Sequence, residues 1–275
     1  MMDFIKAHAY GNDFLFVEHD EGLDKQMRSG YLGNGDLSRL ARSLCDRNRG
    51  VGADGLIFYR PKPSGASMKL FNADGSVAEV SGNGVRCLGA ILASNKVSGS
   101  SFVIETDGGI KTLTLLESAS PRYVFKANMG QPEGIEQGNL HVHDESVDVT
   151  MLSVGNPQCV VIVDKLDEKR FNYLGPLLST HETFPNGTNV EFLQVESPSR
   201  LKILIWERGV GPTQASGTGA CASAIVGITF AGASRSLEVV SPGGTQQVEW
   251  STDEIYLTGA AEIICEGQWA GAPTD

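Results

Sequence analysis

A repeat within the chain constrains its fold more than any other feature. The segment Ser81-Gly82-Asn83-Gly84 recurs 135 positions later as Ser216-Gly217-Thr218-Gly219. At that same offset three further landmarks match: Asp54 with Asn189, Asn72 with Glu207, and Gly108-Gly109 with Gly243-Gly244. Gly11-Asn12 resembles Gly155-Asn156 at the slightly larger offset of 144. Landmarks that recur in one order predict an internal duplication, with two lobes related by approximate two-fold symmetry.

The length allows for two such lobes. The chain has 275 residues, of which 41% are hydrophobic, enough for two modest cores. We expect the lobes to meet near the turn at 128–132. The predicted bounds are 1–127 for the N-terminal lobe and 128–262 for the C-terminal lobe, with a tail at 263–275 that returns to the first lobe.

Local patterns predict an α+β fold. Apolar runs at 160–163 and 201–206 are typical of strands, and turn residues bound several such runs. Leu37, Leu40, Ala41 and Leu44 share one helical face. The small-residue stretches after Gly84 and Gly219 are further predicted helices. Many strands with few helices favour the α+β class.

Charge and cysteine content exclude several function classes. A net charge of −11 argues against nucleic-acid binding and against docking on anionic membranes. No apolar stretch is long enough to cross a bilayer, and the N-terminus lacks a secretory signal. Five scattered cysteines indicate reduced thiols and a cytoplasmic protein. His141 and His143 lack partners at metal-ligand spacing, so we expect no metal.

The two glycine turns suggest a reaction that inverts a stereocentre. A Gly-x-Gly turn that enters a helix exposes backbone N–H groups, and a carboxylate is a natural guest. One copy is usually only a turn, but two symmetry-related copies can act on one ligand. Ser81 and Ser216 stand at the two entrances. Inversion by proton transfer needs an acid or base on each face of the carbon, together with donors for the anionic intermediate.

These motifs together resemble the diaminopimelate epimerase family. They span nearly the whole chain, to about residue 262, and lie at 11–14, 50–55, 71–76, 82–87, 155–157, 207–209 and 217–219. The resemblance implies two pseudo-symmetric lobes, each a β-sheet wrapped around a central helix. It also implies an isomerase that uses neither pyridoxal phosphate nor a metal, and that converts LL- to meso-diaminopimelate for lysine and peptidoglycan precursors. A homodimer is the expected assembly.

The resemblance also assigns roles to individual positions. Gly82, Asn83, Gly217 and Thr218 would hold the reacting α-carboxylate through backbone donors. Asn12, Asn72, Asn156, Asn189, Glu207 and Arg208 would bind the ammonium groups and the distal end of the substrate. These residue types suit the task, because Arg grips a carboxylate bidentately while Glu and Asn accept from an ammonium.

The chain departs from the family pattern where the chemistry occurs. The family has a cysteine before each glycine turn, and this chain has Ser81 and Ser216. The family often has His after Gly-Asn-Pro, and this chain has Gln158. A thiol ionises near pH 8.5, whereas a serine hydroxyl is a weak base unless a neighbour activates it. The serines fit either natural divergence or deliberate replacement.

Three functions follow from these observations. The first is an epimerase that uses Ser81 and Ser216 as its acid/base pair. The second is an amino-acid-binding homologue with weak or no catalysis, in which the serines act as helix N-caps. The third is elimination from a related hydroxylated amino acid, which needs one strong base. A dinucleotide-binding dehydrogenase is excluded, because Gly211-Pro212 breaks the glycine fingerprint.

Overall fold

A computed structural model describes residues 1–19, 37–95, 99–252 and 254–271 of the chain. Its strands are β1 (Met2–Ala9), β2 (Asn12–Glu18), β3 (Gly55–Lys62), β4 (Gly65–Asn72), β5 (Val77–Ala78), β6 (Ser101–Thr106), β7 (Gly109–Ala119), β8 (Arg122–Gly130), β9 (Glu133–Val142), β10 (Glu145–Ser153), β11 (Pro157–Ile162), β12 (Asn189–Ser197), β13 (Arg200–Glu207), β14 (Gly211–Thr213), β15 (Ser236–Ser241), β16 (Gly244–Trp250) and β17 (Ile255–Trp269). The helices in these ranges are α1 (Leu37–Cys45), α2 (Gly82–Ser94), α3 (Glu168–Ser179) and α4 (Gly217–Phe230). None of the helices in the described ranges is both long and apolar enough to span a membrane.

The chain divides into two compact units. The first unit contains Met1–Phe125 and Ala260–Asp275, and the second contains Lys126–Gly259. The chain leaves the first unit within β8 and returns to it within β17. Of the predicted C-terminal tail, residues 272–275 lie outside the described part.

The strand order repeats between the units, as the duplication in the sequence predicts. In the first unit β2 pairs with β3 in parallel, β3 with β4 antiparallel, β4 with β6 in parallel and β6 with β7 antiparallel. In the second unit β11, β12, β13, β15 and β16 pair with the same alternation. The α+β class with two pseudo-symmetric sheets is therefore confirmed.

Each unit has a central helix that is buried on almost all sides, α2 in the first and α4 in the second. Helix α2 is buried from Asn83 to Leu92, and α4 from Gly217 to Gly227. Their small residues allow the surrounding side chains to approach the helix backbone. A Cβ atom at Gly89 would lie 2.6 Å from Leu113 Cδ1. The predicted helices after Gly84 and Gly219 are thus confirmed as the centres of the two sheets.

The other two helices pack on the outside of the sheets. Helix α1 buries Leu40, Ala41, Leu44 and Cys45 on one face, which confirms the helix predicted from that pattern. Helix α3 begins at the N-cap Asp167. We did not predict α3 from the sequence, because Pro176 interrupts its helical pattern.

The strand ladders correct one of the predicted equivalences. Phe14 pairs with Gly55, and Gln158 pairs with Asn189. Because the Gly-Asn motifs make Phe14 equivalent to Gln158, Gly55 is equivalent to Asn189. The match of Asp54 with Asn189 is therefore wrong by one residue. A slip of one residue matters in a strand, since it moves every side chain to the other face.

Candidate functional site

The residues predicted to act on the substrate fall into two sets, one in each unit. We call the Ser81 turn and the polar side chains around it the first half-site, and the Ser216 turn with its surroundings the second half-site. The first half-site contains Asn12, Asn72, Ser81, Gly82 and Asn83. The second half-site contains Asn156, Asn189, Glu207, Arg208, Ser216, Gly217 and Thr218.

In the first half-site Ser81 is the N-cap of α2. Its backbone is extended, with φ −131° and ψ 119°, and its Oγ accepts a hydrogen bond of 3.2 Å from the Gly84 N–H. The first N–H groups of an α-helix have no partner within the helix. The turn therefore presents backbone donors beside a half-buried serine hydroxyl, which is a suitable place for a carboxylate.

Asn12 and Asn83 are joined beneath this turn. Asn83 Nδ2 donates to Asn12 Oδ1 at 3.0 Å, and Asn12 Nδ2 donates to Asp54 Oδ2 at 2.8 Å. Arg86, which is fully buried, donates to Asn83 Oδ1. Each amide thus has one donor and one acceptor already engaged, so these side chains are held in defined orientations.

A cluster of charges supports the Asn12 end of this network. Lys6 Nζ lies 3.0 Å from Asp13 Oδ2, and Arg47 Nη2 lies 2.8 Å from both Asp13 Oδ1 and Asp54 Oδ1. Burial on its own would raise the pKa of Asp13, but the hydrogen bonds and charges of Arg47 and Lys6 outweigh it. The pKa of Asp13 therefore lies below its ordinary value, and Asp13 stays ionised.

Asn72 lies at the end of β4, opposite Gly55. Its Nδ2 donates to Ser76 Oγ at 2.9 Å. Asn72 is thereby tied to the turn that follows its own strand, whereas Asn12 and Asn83 are tied to each other.

In the second half-site Ser216 caps α4 in the same way as Ser81 caps α2. Its φ and ψ are −135° and 131°, and its Oγ accepts a hydrogen bond of 3.1 Å from the Gly219 N–H. Ser216 is more deeply buried than Ser81, with 3% of its surface exposed. Its hydroxyl also lies 3.4 Å from Thr218 Oγ1, so a second hydroxyl adjoins the first.

Two further buried polar side chains, Gln158 and Glu191, lie beneath the Ser216 turn. Both have no exposed surface. One atom of the Gln158 amide is 2.9 Å from Glu191 Oε1. A Cβ atom at Gly219 would lie only 2.6 Å from that same oxygen, so the glycine leaves the space that Glu191 occupies. The sequence marks Gln158 only as a departure from the family pattern, and none of its motifs includes Glu191.

The remaining predicted residues of the second half-site surround this core. Asn189 Oδ1 accepts a hydrogen bond of 2.9 Å from the Arg208 backbone N–H. The Arg208 guanidinium donates to the Asn186 carbonyl at 3.3 Å. Burial raises the pKa of Glu191 above its ordinary value, and the negative charge of Glu207 adds to this shift. Asn156 Oδ1 lies 2.6 Å from the Gln158 amide.

Comparisons with known proteins agree with the motifs found in the sequence. The chain matches the family profile described as diaminopimelate epimerase over residues 4–135 and 150–264. A diaminopimelate epimerase from Desulfitobacterium hafniense is 36% identical to it over 97% of both chains. That of Synechocystis is also 36% identical, over 97% of this chain and 98% of its own.

This chain belongs to the diaminopimelate epimerase family. The resemblance found in its motifs is thereby confirmed. A chloroplastic diaminopimelate epimerase from Oryza sativa subsp. japonica is again 36% identical, over 97% of this chain and 79% of its own.

Solved structures share the fold at much lower identity. A probable proline racemase from Agrobacterium radiobacter is 14% identical and covers all of this chain with 94% of its own, with a TM-score of 0.75. A hydroxyproline epimerase from Agrobacterium vitis is 15% identical, over 100% of this chain and 93% of its own, with a TM-score of 0.73. The chain thus shares the fold of these two proteins.

The cysteines of this diaminopimelate epimerase homologue are at positions other than the two helix N-caps. Cys87, Cys159 and Cys221 are buried, as predicted for core residues. Burial raises the pKa of the Cys87 thiol to about 12, so the thiol stays protonated near neutral pH and no thiolate is available to act as a base. In the described part of the chain no group of three or more His, Cys, Asp or Glu side chains could hold a metal ion.

Proposed function

We propose that this chain interconverts LL- and meso-diaminopimelate by moving the α-proton between two serine hydroxyls. Ser81 and Ser216 occupy equivalent N-cap positions on the two central helices, and this single observation carries the proposal. One serine, as its alkoxide, takes the proton from one face of the α-carbon and so becomes a hydroxyl. The other donates its proton to the opposite face, so the configuration inverts and the two serines exchange roles.

The backbone donors of both turns support this step. When the α-proton leaves, the electron pair of the C–H bond passes into the α-carboxylate, which gains negative charge. N–H groups at Gly82, Asn83, Gly217 and Thr218 stabilise this charge, because they belong to the first turns of the two helices, where backbone N–H groups have no acceptor within the helix. We assign the distal amino-acid group to the six polar side chains Asn12, Asn72, Asn156, Asn189, Glu207 and Arg208.

Serine makes this reaction slow rather than impossible. A hydroxyl is a much weaker acid than a thiol, so each proton transfer has a less well matched partner. The competing function, a diaminopimelate-binding homologue without catalysis, also fits the structure, because capping of α2 and α4 is a sufficient role for both serines.

Deuterium exchange separates these functions. The protein is incubated with LL-diaminopimelate in deuterated water, and deuterium at the α-carbon is measured over time. We expect slow exchange in the wild type and its loss in the Ser216→Ala variant. Ser223→Ala is the matched control, because Ser223 is a buried hydroxyl about two turns further along the same helix. It should exchange at the wild-type rate.

Other results of these experiments would support a different function. Thermal stabilisation by diaminopimelate without exchange would support the binding homologue. Release of ammonia or a keto acid from a hydroxylated amino acid would support elimination. If diaminopimelate neither exchanges nor stabilises the protein, the proposed substrate is wrong.

Assembly and location remain parts of the proposal. A homodimer and a cytoplasmic location rest on the family resemblance and on the thiol content. Light scattering coupled to size-exclusion chromatography tests the first. A monomeric mass at working concentration would contradict it.

A further inference from the structure

Glu191 is a carboxyl group in the interior of the second unit that the proposed reaction does not use. It has no exposed surface and lies beneath the first turn of α4. Burial raises the pKa of Glu191 well above its ordinary value, and the nearby Glu207 carboxylate raises it further. Glu191 therefore holds its proton over a wider pH range than an exposed glutamate does.

A continuous series of polar side chains connects Glu191 to Ser216. The Gln158 amide lies 2.9 Å from Glu191 Oε1 on one side and 3.2 Å from Thr218 Oγ1 on the other. Thr218 Oγ1 lies in turn 3.4 Å from Ser216 Oγ. All four side chains are at most 5% exposed, so water does not compete strongly for these hydrogen bonds.

An ionised Glu191 fixes which way the Gln158 amide points, whereas a neutral Glu191 also allows the opposite orientation, because a neutral carboxyl group can donate a hydrogen bond. When Glu191 is neutral, its hydroxyl can donate to Gln158 Oε1, and Gln158 Nε2 then donates to Asn156 Oδ1 at 2.6 Å. When Glu191 is ionised, its oxygens accept only, so Nε2 must face them. Gln158 Oε1 then faces Thr218 Oγ1, and the Asn156 amide turns to donate to it.

The hydrogen bonds of the Thr218 hydroxyl change with the orientation of the Gln158 amide. With Glu191 neutral, Thr218 Oγ1 accepts from Gln158 and its proton is free to point at Ser216 Oγ. With Glu191 ionised, Thr218 donates to Gln158 Oε1, and its oxygen accepts from Ser216. In the first arrangement the Ser216 proton is available to a ligand, and in the second a Ser216 lone pair is.

We propose that Glu191 is a positioning residue that sets, through Gln158 and Thr218, whether Ser216 donates or accepts a hydrogen bond toward the ligand. No covalent bond is made or broken in this step, and only hydroxyl protons and amide orientations change. The role of Ser216 toward substrate rests on the function proposed above, whereas the coupling between Glu191 and Ser216 does not.

The surroundings of Glu191 contain few other groups that could produce this effect. Glu207 on β13 contributes negative charge, and the Cys159 thiol on β11 has its own pKa raised by burial and by Glu191. The amino end of α4 contributes positive partial charge. In the first half-site the equivalent strand position is Ile57, whose Cδ1 would lie 2.8 Å from a Cβ at Gly84. The first half-site thus provides an internal control.

Titration of an introduced thiol tests the coupling without any substrate. Ser216→Cys is made in a Cys265→Ser background, because Cys265 is the exposed native cysteine among the described residues. The rate of alkylation against pH gives the thiol ionisation curve. Adding Glu191→Gln keeps the side chain neutral at every pH, so Thr218 can donate to the sulfur throughout. We expect the acid dissociation constant of that thiol to rise about tenfold.

Two comparisons test whether the shift in thiol ionisation requires Gln158 and is confined to the second half-site. The same Glu191→Gln change should leave the thiol of a Ser81→Cys variant unaltered. In a Gln158→Met background, where the connection is cut, Glu191→Gln should no longer shift the Ser216→Cys thiol. An equal shift with and without Gln158 would show a through-space charge effect and overturn the proposal, as would no shift at all. Circular dichroism melts establish that each variant is folded.

The outcome of the thiol titration does not depend on the proposed function. If deuterium exchange fails while the thiol shift requires Gln158, the coupling stands and the proposed reaction falls. If exchange occurs while the thiol shift is absent, the reaction stands and the role of Glu191 falls.

Discussion

In the first unit Ile57 and Phe14 lie in the strands beneath the Ser81 turn, whereas the equivalent positions of the second unit carry Glu191 and Gln158. The two turns themselves have nearly the same backbone and the same serine cap. The duplication has thus kept the serine-capped turn and changed the strand residues beneath it. Two equivalent turns need not be equivalent acids.

Placing cysteine at both serine positions should produce the largest effect, on the rate of deuterium exchange. We expect the Ser81→Cys/Ser216→Cys variant to exchange deuterium into diaminopimelate about 10²–10⁴ times faster than the wild type, because thiols match the proton transfer better than hydroxyls do. We also expect the thiol at position 81 to ionise at lower pH than that at position 216, which has Glu191 beneath it. Equal ionisation of the two would break the comparison.

Substitutions of the buried strand residues beneath the two turns should produce the next largest effect, on the free energy of unfolding. Ile57→Glu places a carboxyl group among apolar side chains, and we expect it to lower the free energy of unfolding by about 3–5 kcal/mol. Glu191→Gln, which keeps a hydrogen bond to Gln158, should cost less than about 1 kcal/mol near neutral pH. Urea denaturation measures both. Similar losses in the two variants would mean that the two layers do not differ as described.

The pH dependence of stability should have opposite signs in the two units. The pKa of Glu191 is raised on folding, so its contribution is present at low pH and is lost as pH rises through the folded-state pKa. Glu191→Gln should therefore stabilise the protein at mildly alkaline pH and change little at low pH. The pKa of Asp13 is lowered, so its contribution is lost as pH falls. Asp13→Asn should therefore destabilise most near neutral pH and least in acid.

The size of these pH effects follows from the pKa displacement. Each pH unit by which a folded-state pKa differs from the unfolded value corresponds to about 1.4 kcal/mol. Urea denaturation at several pH values gives the two slopes. If Glu191→Gln destabilised the protein more at alkaline than at acid pH, Glu191 would have the environment of an ordinary ion-paired carboxylate.

Removal of the two serine N-caps should produce the smallest difference between the units, in the free energy of unfolding. Ser81→Ala and Ser216→Ala each lose one hydrogen bond to a helix N–H, and we expect each to cost about 1 kcal/mol of unfolding free energy. Ser216→Ala should cost slightly more, because Ser216 is more buried and also adjoins Thr218. Ser223→Ala is the control for loss of a buried hydroxyl. A greater loss from Ser81→Ala would reverse the expected order.

Much of the architecture could be predicted from the sequence because it depends on local pattern. Helix α1 follows from one apolar face, and the central helices follow from serine caps and small residues. Helix α3 could not be predicted, since Pro176 obscures its pattern and its stability comes from packing against the sheet. The predicted roles of the polar site residues remain a proposal.

Glu191 could not be found in the sequence for a different reason. It lies between Val190 and Phe192 in a strand-like segment, where a single acidic residue is usually on the exposed face of a strand. The offset of 135 matches it with Leu56, and only the ladder registers match it with Ile57. The signal that could have revealed it is Gly219, which is needed where a large side chain approaches a helix.

The return of β17 to the first unit affects the order in which the protein is completed during synthesis. β17 pairs with β1 from Met2↔Trp269 to His8↔Glu262, so β1 is translated long before the strand with which it pairs. The second unit is contiguous and has been fully translated by residue 259. The nascent chain can therefore finish the second unit while the edge of β1 is still uncovered. A truncation or a bulky fusion at the C-terminus would accordingly damage the N-terminal half of the protein.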